Sequence, residues 1–185
     1  MKREIRNSIM TSKLTLPMAK RDHIQGPIDA RLALVEYGDY ECPYCGEAHP
    51  IVKAIQKRLG DRLCFAFRNF PLANMHPHAE HAAEAAEAAG AEDRFWEMHD
   101  LLFEHQSALE DEDLAQYASS LGLDADRLIS QVLAGAHTAR IREDVQGGAR
   151  SGVNGTPTFF INGVRYDGEP EVDALVAALT GQSSF

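Results

Sequence analysis

Long apolar runs are missing from this 185-residue chain, in which no window approaches the roughly 18 consecutive apolar residues that cross a bilayer. A membrane-spanning helix is therefore not expected. Positive charge is also short: 18 Lys and Arg face 28 Asp and Glu, and the net charge of -10 disfavours nucleic acid and anionic membranes as partners. The opening stretch MKREIRNSIMTSKLTLPMAKRDHIQGP has the basic start of an export signal without its apolar centre, because Ser, Thr, Lys and Pro interrupt it every few positions. We expect a cytoplasmic protein rather than a periplasmic one, with residues 1–27 as a loosely attached, partly ordered leader. Cysteine is scarce, and three of them, an odd number, argue against a secreted disulfide framework.

What is present is ordinary globular composition, 44% hydrophobic and 25% charged, on a length that suits one domain or one domain with a large insertion. LALVEY at 32–37 reads as a buried strand carrying one acid, Glu36. CPYCGEAHPIVKAIQKRLG then places Ile51, Val52, Ile55 and Leu59 at helical spacing, with Pro43 near the start and Gly60 past the end. That puts Cys42 at a helix N-terminus and Cys45 in its first turn, while Pro50 should kink the rod. DRLCFAFRNF reads as a second buried strand, parallel to the first. Residues 76–151 carry successive amphipathic helical patterns. Strand chemistry returns at Thr158 to Ile161 and Val164 to Tyr166 around an Asn-Gly turn, before a last helix with Val172, Leu175, Val176 and Leu179 on one face.

Two of the cysteines stand as Cys42-Pro43-Tyr44-Cys45. A structural zinc site wants four ligands, and only Cys64 remains, inside an apolar strand. A structural disulfide across so short a loop restrains little of the unfolded chain. Thiol-disulfide exchange fits better, because a helix N-terminus stabilises negative charge and draws a thiol pKa from ~8.5 toward ~3.5 to ~7.5. Cys42 is then the solvent-facing nucleophile and Cys45 resolves the mixed disulfide. Pro43 and Tyr44 tune the balance between thiolate and disulfide. This chemistry needs no metal and no organic cofactor.

Strand, CPYC, helix, strand, helical block and then GTPTFFINGV: from about residue 28 to 181 this order resembles the DsbA-like branch of the thioredoxin superfamily. The resemblance implies an α/β thioredoxin fold from residues 28–75 and 152–185, with an inserted helical domain at 76–151. It implies that Pro157 is cis and packs beside the cysteines, and that Thr156 offers its backbone to a bound substrate peptide as an added strand would. It gives Glu36 a role as well. Relatives carry a buried acid at that place, and a carboxylate on an apolar strand has a raised pKa and can take the Cys45 proton through water. Part of the insertion lies over the active site in relatives and should shape the substrate groove.

The implied activity is that of a protein-disulfide oxidoreductase acting on thiol- or disulfide-bearing proteins, peptides or small thiols. Its electron donor or acceptor would be a thioredoxin or glutathione system. Direction stays open, since a reducing cytoplasm favours a reductase and the resemblance alone favours oxidation. Two other readings stay open: a glutathione-transferase or isomerase type of enzyme on the same fold, which would not need Cys45, and a non-catalytic redox-sensing module. Cys64 reads as a small packing residue. His76, His78 and His81 in HPHAEH, with His99 and His105, lack the companions of a metal site and read as capping or surface residues. Phe95, Trp96, Met98, Leu101 and Leu102 read as the core of the insertion.

Overall fold

The computed structural model describes residues 12–181. Strands β1 (His23–Gln25), β2 (Leu32–Gly38), β3 (Leu63–Asn69), β4 (Thr158–Ile161) and β5 (Val164–Tyr166) form one sheet in the spatial order β1-β3-β2-β4-β5. The β2–β3 pair is parallel, as expected of strands joined by a helix, and the other pairs are antiparallel. Asn162 and Gly163 join β4 to β5 with φ of 49° and 80°, the doubly left-handed geometry that tight hairpins require.

Alternation along the strands divides the core in two. Leu34 faces the same side as Phe65 and Phe67, whereas Val35 and Tyr37 face the side of Ala66 and Phe160. By the same period of two, Glu36 shares the face of Leu34. That face is covered by α1 (Pro43–Leu59), whose Cys45, Ala48, Val52, Ile55 and Leu59 are buried. Proline near the start supplies a preset φ, Gly60 ends the helix at φ 53°, and the helix continues through Pro50.

Helices α2 (Ala79–Gly90), α3 (Phe95–Glu104), α4 (Asp111–Ser120) and α5 (Ala125–Ala134) pack on one another as the insertion. Alanines let α2 sit buried at its centre, and Phe95, Met98 and Leu102 of α3 are core residues as the helical spacing predicts. Leu101 and Trp96 are only half-buried. Helix α6 (Thr138–Arg150), grouped with the insertion on sequence, packs instead on the second face of the sheet. A Cβ on Gly148 would meet the rings of Tyr37 and Phe70 at 2.9 Å, so glycine is what lets this helix press down. Helix α7 (Val172–Thr180) closes the fold beside α1.

The loose attachment expected of the leader needs correcting. Residues 1–11 and 182–185 lie outside the described part, but residues 12–27 meet the sheet at two places. His23–Gln25 pairs with β3, Lys13 bridges to Val164, and the Leu14 amide donates to Gly163. The cause is Arg68 on β3, a fully buried cation that demands acceptors. Both Asp22 oxygens accept from it at 2.9 and 3.0 Å, and the carbonyls of Leu16 and Pro17 accept at 2.9 and 3.2 Å. A buried guanidinium thus fastens this segment.

Candidate active site

Cys42 is the N-cap of α1, and its carbonyl accepts the first helical amides, from Cys45 at 3.0 Å and Gly46 at 3.1 Å. The Cys42 amide donates back to Asp39. From the other half of the fold, the Thr156–Pro157 peptide, which is cis, brings the Thr156 carbonyl within 3.3 Å of the Cys42 sulfur. Pro43 and Tyr44 lie outermost, Tyr44 being 70% exposed. The three cysteines carry no disulfide. One expectation fails here: Cys42 does not face solvent, as only 4% of it is exposed, because the Thr156 segment closes over its sulfur.

The two thiols are driven apart electrostatically. Cys42 is lowered to about 5, first by the hydrogen bond from Cys45, against burial, and then by the Thr156 side chain and the amides of the first turn. The Thr156 hydroxyl is buried and has no hydrogen-bond partner among the described residues, so its proton is free to turn toward a thiolate at Cys42. Cys45 is raised well above its usual range by burial, by its bond to Cys42 and by Glu36. Glu36 is itself raised to about 8 by burial and then by Cys42, and its Oε1 has no hydrogen-bond partner among the described residues. With only 2% of the residue exposed, a Glu reaching solvent from a strand edge is ruled out.

Three further residues hold this turn, and sequence reading missed that role. The Asp39 carboxylate accepts from the Glu41 amide through Oδ1, and from the Leu72 amide and His76 Nδ1 through Oδ2, all at 2.8 Å. His76 is raised: burial lowers it, and Asp39, Cys42 and Glu41 outweigh that. Gln106, after α3, donates to the Tyr40 carbonyl at 2.7 Å and the Cys42 carbonyl at 2.8 Å. Asp39 lies three residues before Cys42, but nothing in its type says where its carboxylate points.

The remaining candidates lie apart from the pair. Cys64 is buried against the Met18 sulfur and pairs with Ala33, five residues along β2 from Gly38, roughly 16 Å from the cysteine end of the sheet. It acts in packing. His81 bonds Asp111, His105 bonds the Leu101 carbonyl, and His78 occupies the N-cap position of α2 without a side-chain cap. His99 is not a surface residue: 3% exposed, it sits among Phe67, Phe95 and Phe103 and bonds Tyr40. Its spacing from Phe95 and Phe103, four residues each way on α3, was the signal available.

A parallel pair flanked by antiparallel strands, a Cys-x-x-Cys at the first helix of the sheet and a proline loop facing it define a thioredoxin fold, here with a helical insertion of the DsbA-like kind. A family model described as Thioredoxin matches residues 18–180, and the chain belongs to that family. BdbD from Bacillus subtilis in its oxidised form superposes with a TM-score of 0.81 at 24% identity, covering 93% of this chain and 96% of that one. A thioredoxin-like oxidoreductase from Silicibacter pomeroyi gives 0.78 at 24% identity over 90% and 95% of the two chains. Among curated proteins, the Na(+)/H(+) antiporter NhaA 1 of Salinispora arenicola (strain CNS-205) is 49% identical over 160 residues, 86% of this chain. The NhaA antiporter of Herminiimonas arsenicoxydans is 41% identical over 158 residues, 85% of this chain. The chain spans about a quarter of the length of these relatives, 24% and 25%.

Proposed function

We propose that the chain is a protein-disulfide oxidoreductase exchanging disulfides through Cys42 and Cys45. The observation that carries this is one of placement: Cys42 caps a helix against Thr156, while Cys45, fully buried beside it, shares a sheet face with the neutral-leaning acid Glu36. The Cys42 thiolate attacks one sulfur of a substrate disulfide, forming a mixed disulfide and releasing the other sulfur as thiolate. Cys45 gives its proton to ionised Glu36 through water and attacks the Cys42 sulfur, which frees the second substrate thiolate and leaves Cys42–Cys45 oxidised. The same steps reversed oxidise a dithiol. Thr156 and Pro157 border the nucleophile, so a substrate backbone beside Thr156 would align its sulfur with Cys42. Pro43 and Tyr44, exposed at the rim, set the potential and touch the substrate.

A cytoplasmic setting remains part of the proposal, and with it regeneration of the dithiol by a thioredoxin or glutathione system. A transferase or isomerase using one thiol would have no use for a Cys45 raised by burial beside an acid. Replacing Cys45 by Ser should trap mixed disulfides with substrate, and replacing Cys42 by Ser should abolish them. Full dithiol-dependent activity in both variants would overturn the reading.

A second reading rests on the relatives, which are described as sodium–proton antiporters although this chain matches only about a quarter of them. It is a redox-sensing module in which oxidation of the pair alters binding to a transporter. Repeated turnover of a model disulfide supports the enzyme; a single stoichiometric oxidation supports the sensor.

A further inference from the structure

Helices α1 and α3 bring together two imidazoles and a carboxylate that the thiol chemistry leaves unused. One ligand atom from each of His49, His99 and Asp100 lies within 4.8 Å of the others. His49 Nε2 stands 3.4 Å from Asp100 Oδ1 without hydrogen-bond geometry, and that oxygen is buried with no hydrogen-bond partner among the described residues. The Asp100 side chain is 30% exposed and its Oδ2 is held by Lys53, but a buried carboxylate oxygen left unpartnered is costly, so Oδ1 leaves room for a second cation. Both imidazoles are buried, and their ring centroids stand 5.4 Å apart. Tyr40 engages His99 Nδ1 at 3.1 Å, leaving Nε2 as its free nitrogen.

We propose that His49, His99 and Asp100 bind a divalent transition-metal cation of zinc's class, clipping the cysteine-bearing helix to the insertion. The donor set decides the class. Two imidazole nitrogens and one carboxylate oxygen suit zinc, cobalt or nickel, whereas calcium and magnesium want oxygen throughout. One edge of the site already has metal spacing: tetrahedral ligands at ~2.0 Å from an ion lie about 3.3 Å apart, close to the 3.4 Å between His49 and Asp100, and the other separations, within 4.8 Å, would close as the side chains turn. A water would complete the sphere. Outer partners are in place: Tyr40 orients His99, and Lys53 Nζ holds Asp100 Oδ2 at 2.6 Å.

Lys53 is also the competitor. Its ammonium neutralises the carboxylate, so a metal binds against it, and its half-exposed stem can swing away. Glu104, one turn on from Asp100, adds negative charge facing His49. The site is independent of the exchange reaction, since His49 lies one turn beyond Cys45 and no sulfur takes part.

The test uses the full chain with Cys42→Ser and Cys45→Ser, so that the thiol pair cannot capture the metal. Calorimetry with zinc and visible spectroscopy with cobalt should show one ion per chain, with nitrogen–oxygen bands and no sulfur charge-transfer band. His49→Gln and Asp100→Asn should each weaken binding at least about tenfold, about 1.4 kcal/mol. Lys53→Ala should tighten it, a response that a purely structural ion pair would not give. The proposal fails if no saturable binding occurs, if both ligand variants bind as before, or if Lys53→Ala leaves the affinity unchanged.

Discussion

The sulfur of Cys42 meets the Thr156 carbonyl at 3.3 Å across 114 residues of sequence. The candidate nucleophile and the cis-proline loop therefore come from distant parts of the sequence, and the Thr156 side chain is among the groups that lower Cys42. Removing that hydroxyl with Thr156→Val should raise the Cys42 pKa from about 5 by about one pH unit, as the loss of one hydrogen bond to a charged sulfur predicts. The pH dependence of alkylation reads this directly.

Glu36 gives a pH signature with a definite sign. Its folded pKa of about 8 exceeds the ordinary 4.5, so its contribution to stability is complete below 4.5 and is lost as pH rises through about 8. At about 1.4 kcal/mol per unit, the reduced wild type should lose roughly 3 to 5 kcal/mol across that window relative to Glu36→Gln. Urea midpoints across pH measure it. In kinetics, resolution by Cys45 should accelerate and then level off through pH 8 in the wild type, whereas in the variant it should be at least about tenfold slower near neutral pH and rise steadily with pH without a break near 8, as Cys45 then loses its proton to solvent.

Gly46 and Gln106 should be coupled. A Cβ on Gly46 would fall 1.9 Å from Gln106 Oε1, the end of a flexible side chain that would swing aside and release the Tyr40 and Cys42 carbonyls. Gly46→Ala and Gln106→Ala should each slow exchange several-fold, and the double variant should be little worse than either. Additive losses would separate the two residues.

Arg68→Met strips the partner from buried Asp22 and should cost about 3 to 5 kcal/mol by denaturant unfolding. Adding Asp22→Leu should recover much of that, because the desolvated charge goes with its partner.

Much of the fold was legible because its signals are local. The strand at 32–37, the helix after CPYC, the Asn-Gly hairpin and the run of inserted helices each follow from spacing within a dozen residues. Glu36 stood out as one acid in an apolar run. The strap at 12–27 was not legible, because its order comes from Arg68, forty residues away, and its strand is only His23-Ile24-Gln25. Asp39, His76 and Gln106 escaped for the same reason: their partners, backbone amides and carbonyls and, for His76, the Asp39 carboxylate, are brought near by the folded chain. His99 was read by its residue type, while its helical position already placed it among aromatics.

The pairing of Lys13 with Val164 has a consequence in time. A ribosome delivers the first of these residues long before the second, so the β2 edge of the sheet stays open until the β4–β5 hairpin has emerged. During that interval the β4–β5 hairpin is the missing piece, and a chain stalled short of it would present unpaired strands to its neighbours.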